Sequence, residues 1–230
     1  MRTFALVHGA WHGAWCWERL IEPLEDRGHR VVAPELPSED TELGLEDYAD
    51  TIDRALGDAD DVVLVPHSLG GLVGPVVAGR RPLRALAYLT ALVPEPGLSF
   101  SEQLSASTEP VLLFEGGRMV DDEGRSYWGD PEATARIMYG DLPPEDARWA
   151  AVRLRPQAQR SQTEPSPAPP AGLHVESIIG ANDRVLSPPW SRRVARERLG
   201  VQPIELASGH FPMITHPEQL ADALAQLDSQ

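Results

Sequence analysis

The chain has 230 residues, 42% hydrophobic and 24% charged, which suits one globular core with room for an insertion. A formal net charge of −15 argues against nucleic acid or anionic membrane as a partner, since both call for basic surfaces. All 20 basic residues are arginine, which excludes Schiff-base chemistry, a phosphate-loop lysine and any lysine acid or base.

The N-terminus, Met1-Arg2-Thr3, runs directly into an apolar strand and shows no signal-peptide pattern. No run approaches the ~18 apolar residues that span a bilayer. Cys16 is the single cysteine and has no disulfide partner in the chain, so a cytoplasmic protein is expected. Oligomeric state is not legible.

Taken in chain order, the pattern predicts a strand over 4–7, a helix from Trp15 to Arg27 closed by Gly28, and a strand over 30–33. A helix from Leu45 to Leu56 precedes Gly57. A buried strand over 62–65 then meets Ser68 at a sharp turn, with a small-residue helix from Leu69 to Gly79 behind it. A strand over 84–89 follows. After a long interruption come a strand over 174–179, a helix over 190–199, a strand over 203–206 and a helix over 217–227. Six strands alternating with helices imply an α/β fold with a mainly parallel sheet covered on both faces.

Residues 94–171 break the rhythm. Pro94-Glu95-Pro96-Gly97 opens them and a proline-rich run over 164–172 closes them. Helices are expected around 131–139 and 144–153, separated from the preceding strand by a loop rich in Gly, Asp and Arg. Tyr127, Trp128, Tyr139 and Trp149 supply aromatic packing surface. The segment reads as a small, mostly helical cap, dividing the chain into a first core part (1–93), a cap (94–171) and a second core part (172–230).

Three residues follow three separate strands in the order Ser68, Asp183, His210. A serine on a strand-to-helix turn has its hydroxyl lifted clear of the sheet, and active sites of parallel sheets form at the carboxyl ends of strands. The bland readings are a helix-capping serine, an acid that merely ends a strand, and a structural loop histidine. The combination and order favour a nucleophile, an orienting acid and a base. His67, His8 and His12 read as packed or bracing residues, and Cys16 as core. His29, His174 and His216 have no companions at ligand spacing, so neither a metal nor a cofactor is expected. Trp11, Leu69, Phe211 and Met213 are candidate pocket walls, and Trp128 is a candidate from the cap.

Together, Val7-His8-Gly9-Ala10-Trp11-His12-Gly13-Ala14-Trp15-Cys16-Trp17, His67-Ser68-Leu69-Gly70-Gly71, Asn182-Asp183 and Gly209-His210 resemble the α/β-hydrolase family of plant methylesterases, salicylate-binding esterases and hydroxynitrile lyases. Met138-Tyr139-Gly140-Asp141-Leu142-Pro143-Pro144-Glu145-Asp146 and Leu154-Arg155-Pro156 extend the resemblance, which covers nearly the whole chain. It implies the six-stranded version of that fold, with a pocket between sheet and cap. It also implies a Ser68–His210–Asp183 triad and an oxyanion hole made by the N–H groups of Ala10 and Leu69.

The expected activity is serine hydrolysis of a small, largely apolar carboxylic ester, with a thioester or lactone open to the same apparatus. The rival is a slow small-molecule-binding protein on the same fold. Two departures stand out. Pro66 occupies the position two before the serine, where glycine is usual. The lyases use a first-loop threonine and a lysine beside the histidine. Here Gly9 and Phe211 stand instead, which argues against cyanohydrin cleavage.

Overall fold

The computed structural model describes residues 1–227. Its strands are β1 (Thr3–Val7), β2 (Arg30–Val32), β3 (Val62–Pro66), β4 (Ala85–Leu89), β5 (Arg118–Val120), β6 (Ser126–Trp128), β7 (Val175–Gly180) and β8 (Ile204–Leu206). Six of them form one sheet in the order β2-β1-β3-β4-β7-β8, and every neighbouring pair is parallel. β1, β3 and β4 are buried along their whole length, as a sheet covered on both faces requires.

The covering helices show why they form. In α1 (Glu18–Asp26), Leu20 and Leu24 face inward while Arg19, Glu22 and Glu25 face water. In α2 (Leu45–Leu56), Leu45, Tyr48, Ala49, Ile52 and Leu56 make the buried stripe. The helical run expected from Trp15 starts instead as a 3-10 turn, Ala14–Trp17. The run expected after Ser68 is likewise split into a 3-10 turn, Ser68–Leu72, and α3 (Gly74–Arg80). Gly71 explains the tight entry, because a Cβ there would overlap the Leu92 carbonyl. Pro75 then suits the first turn of the new helix, where no N–H donor is needed.

Pro66 is accommodated at a strand end. Pairing of β3 with β4 stops after Leu64↔Leu86 and resumes at His67↔Leu89, so the missing N–H falls in a gap of the ladder. The next residue restores the sheet on the other side, His67 N–H donating to the Val7 carbonyl at 2.9 Å.

Between β4 and β7 the chain forms α4 (Phe100–Ala106), the antiparallel hairpin β5–β6, α5 (Pro131–Met138), α6 (Pro144–Ala151) and α7 (Arg160–Thr163). α5 and α6 match the two expected helices and pack on each other. The hairpin falls where a loop was expected. Beyond β7 lie α8 (Pro188–Val194), which runs into a π-helical turn Ala195–Leu199, then α9 (Pro212–Thr215) and α10 (Pro217–Ala225), the last packed on α1. No helix among the described residues is long and apolar enough to cross a membrane.

Candidate active site

Ser68 sits in the left-handed region at φ +52°, between the end of β3 and the 3-10 turn. For a non-glycine residue this conformation costs about 1–3 kcal/mol and must be held by its surroundings. Leu92 N–H donates to the Ser68 carbonyl at 2.9 Å, and Gly70 N–H donates to the His67 carbonyl at 2.8 Å. The crowding on the other side is relieved by Gly9, where a Cβ would stand 2.7 Å from the Ser68 Cβ.

His210 follows β8 and Asp183 follows β7, so adjacent parallel strands bring both to the serine. His210 Nε2 is 3.0 Å from Ser68 Oγ, and Nδ1 is 2.7 Å from Asp183 Oδ2. Asp183 Oδ1 accepts the N–H groups of Val185 (2.7 Å) and Leu186 (2.9 Å), which lock the carboxylate. A carboxylate at Nδ1 keeps the proton there and leaves Nε2 free to accept from the Ser68 hydroxyl. The His210 carbonyl accepts from Thr90 Oγ1 (3.0 Å) and from His67 Nε2–H (2.9 Å). Asp183 and His210 are both buried.

Neither Ala10 N–H nor Leu69 N–H meets a protein acceptor among the described residues, and both residues line the same cavity as Ser68. The loop carrying Ala10 is pinned by two buried histidines. His8 Nδ1–H donates to the Gly9 carbonyl at 2.9 Å, which fixes the peptide that bears the Ala10 N–H. Its Nε2 accepts from Leu36 N–H at 3.0 Å. His12 Nδ1–H donates to the Ala10 carbonyl at 2.7 Å, and its Nε2 accepts from the Tyr139 hydroxyl at 2.7 Å. Trp11, at φ +62°, is tied to the insertion twice: Nε1–H donates to Ser126 Oγ (3.0 Å), and Arg155 N–H donates to its carbonyl (2.8 Å).

Burial pushes His8 down to about 4, against the pull of the Gly9 carbonyl and of Glu35, and pushes His12 down to about 3, against the pull of the Ala10 carbonyl. His67 is driven well below the ordinary histidine value, first by burial and then by the neighbouring His210. Below pH ~6.5 the unfolded chain gains protons that these folded rings refuse, so their contribution is complete at neutral pH and declines as pH falls. Between pH 6.5 and 5 the loss is about 2 kcal/mol for each of His8 and His12. NMR of the ring carbons is expected to show both neutral at pH 5, with a lower urea midpoint than at pH 7. Titration of either ring above pH 5 would contradict this.

The cavity over Ser68 is narrow, about 40 Å³, and mostly apolar, with Leu69, Leu92, Phe114 and Leu186 among its walls. Trp11 and Phe211 line it as expected from sequence. Trp128 does not; it stands behind the wall, 5.6 Å from the Trp11 ring and 5.7 Å from that of Phe114. Met213 does not either, because the short α9 turns it fully into the core. Sequence reading missed Phe100, Leu112, Phe114, Arg118 and Met138, which the insertion contributes. A roomier groove of about 640 Å³ along Glu35, Asp40, Asp47 and Asp50 contains none of Ser68, Asp183 and His210. No cluster of three or more His, Cys, Asp or Glu side chains suited to a metal ion occurs among the described residues.

A parallel sheet with a serine on a strained turn, and a histidine and an aspartate after later strands, defines a hydrolase of the α/β class. The model of the alpha/beta hydrolase family matches residues 4–223, and the chain belongs to that family. It is 29% identical to a carbendazim hydrolyzing esterase of Nocardioides sp. (strain SG-4G), over 99% of this chain and 100% of that protein. It is 26% identical to methyl jasmonate esterase 1 of Vitis vinifera, over 98% of this chain and 96% of the other. Among solved structures, a pyrethroid hydrolase from Sphingobium faniae JZ-2 superposes with a TM-score of 0.83 at 27% identity. The match covers 99% of this chain and 98% of that one.

Proposed function

We propose that the chain is a serine carboxylesterase that cleaves a small, largely apolar ester through an acyl-enzyme on Ser68. His210 Nε2 takes the hydroxyl proton as Oγ bonds to the ester carbonyl carbon. The electron pair displaced onto the carbonyl oxygen is met by the N–H groups of Ala10 and Leu69. His210 then gives its proton to the departing alcohol as the C–O bond breaks. Water attacks the acyl-enzyme by the same relay and frees the acid. Asp183 holds His210 in the tautomer that both steps need. A thioester or lactone presents the same carbonyl chemistry, and the esterases among the relatives favour the oxygen ester. Residues 94–171 act in this reading as a cap, since they supply much of the apolar wall.

The observation that carries the proposal is the relay itself: 3.0 Å from Ser68 Oγ to His210 Nε2, and 2.7 Å from Nδ1 to a carboxylate held by two backbone N–H groups. Steady-state hydrolysis of p-nitrophenyl acetate and butyrate tests it. Saturable turnover far above buffer is expected, with butyrate preferred because the wall is apolar. Rates equal to buffer for both would leave a binding protein as the better reading.

Gly9→Ala gives a further test. The added methyl would stand 2.7 Å from the Ser68 Cβ and 3.1 Å from the His67 carbonyl oxygen, so either the serine or the Ala10 N–H must move. Misplacement by about 1 Å typically costs ~10²-fold. A kcat loss of that order is expected with little change in KM, and unaltered kcat would show that the loop yields elsewhere.

A further inference from the structure

We infer that Arg118 forms an anion-binding subsite at the mouth of the cavity, and that the favoured ester carries a carboxylate at the end remote from the reacting carbonyl. This rests on the esterase reading of the same site. Arg118, on β5, is the one arginine among the residues lining the cavity, and no aspartate or glutamate lines it. Its guanidinium carbon lies over the rings of Phe114 and Trp11, 5.1 and 5.7 Å from their centroids. Such contacts hold a flexible side chain in place without using its N–H donors, which lie in the guanidinium plane.

Those donors find no acceptor and no carboxylate among the described residues. The arginines at 19, 27, 80, 192 and 193 each hold an aspartate or glutamate instead. Trp11 follows Ala10 in the chain, so the guanidinium stands one aromatic ring beyond the oxyanion loop. The rings of Trp11 and Phe114, which it lies over, are part of the cavity's apolar lining. An apolar passage that ends in an unengaged planar fork of donors matches an aliphatic or aromatic spacer ending in a carboxylate. The net charge of −15 works in the other direction, because it disfavours anions at the surface in general. Any preference for an anionic ester must therefore be made locally, and Arg118 is the group placed to make it.

Two pairs of esters test this: p-nitrophenyl hydrogen adipate against its methyl ester, and 4-(butyryloxy)benzoate against its methyl ester. Each pair compares a carboxylate with a neutral group of similar size, on the acyl side and on the alcohol side respectively. In the wild type, kcat/KM for the anionic member of one pair is expected to exceed that of its neutral partner by about 10-fold or more. Which pair responds tells which half of the ester faces Arg118. In Arg118→Gln the ratio is expected to fall below one, as the net negative charge then acts unopposed. In Arg118→Lys, which keeps the charge but not the fork, it is expected to be restored in part. Added salt should shrink the wild-type ratio. Equal or lower rates for both anionic esters in the wild type, or a ratio that survives Arg118→Gln, would overturn the inference. Failure to hydrolyse any of the four would instead overturn the esterase reading on which it stands.

Discussion

Ser68→Ala is expected to lower kcat for p-nitrophenyl butyrate by about 10⁶-fold, the scale seen when a triad serine is removed. The substitution deletes one oxygen and leaves the walls of the cavity in place. His210 keeps its bond to Asp183, and Ala10 and Leu69 still line the cavity. What remains is stabilisation of charge with no atom to form the acyl bond, worth ~10³–10⁴ over water. Alanine must adopt the same φ of +52°, so the backbone strain is unchanged and thermal stability is expected to move by no more than a few degrees. A variant that keeps its fold but retains a tenth of the activity would mean that the nucleophile lies elsewhere.

Asp183→Asn is expected to cost about 10⁴-fold in kcat with KM little changed. The reason is a proton count. Asp183 Oδ1 is committed to the N–H groups of Val185 and Leu186, and Oδ2 is committed to His210 Nδ1–H. An asparagine whose oxygen keeps the two backbone donors must turn its NH₂ toward Nδ1. That nitrogen then becomes the acceptor, the ring proton moves to Nε2, and Nε2 can no longer accept from Ser68. The arrangement survives while its direction reverses. The measurement is kcat and KM beside ring ¹⁵N shifts, where the tautomer of His210 is read directly. Activity within 10-fold of wild type would show that Asp183 does not set the tautomer.

The sequence carried the site further than the surroundings of the site. Ser68, Asp183 and His210 were legible because each closes a short apolar run, and strand ends in a parallel sheet converge on one edge. The alternation of six strands with helices was legible for the same reason, since buried strands are nearly continuous apolar runs. Helix boundaries were less so. The break after Ser68 depends on Gly71 approaching the Leu92 carbonyl, a contact between residues far apart in the chain. Ser99 and Glu102 form a reciprocal cap at the start of α4, the spacing of a capping box.

The hairpin β5–β6 gave no signal, because Arg118, Met119 and Val120 are all exposed and show no alternation of buried and open positions. That hairpin carries Arg118, so the feature that bears most on specificity was also the least readable. Two pocket residues were misplaced for a related reason. Met213 lies three positions beyond His210, and the short α9 carries its side chain into the core and away from the cavity. Trp128 is a candidate only as an aromatic of the insertion, and an aromatic there equally suits a residue that props the wall from behind.

The triad account meets its most direct test in fluorophosphonate labelling followed by intact mass and peptide mapping, with wild type and Ser68→Ala side by side. One adduct per chain is expected, on the peptide containing Ser68, with esterase activity lost in step with labelling and no adduct on the variant. A wild type that stays unlabelled while hydrolysing esters, or an adduct that persists in Ser68→Ala, would contradict the acyl-enzyme on Ser68.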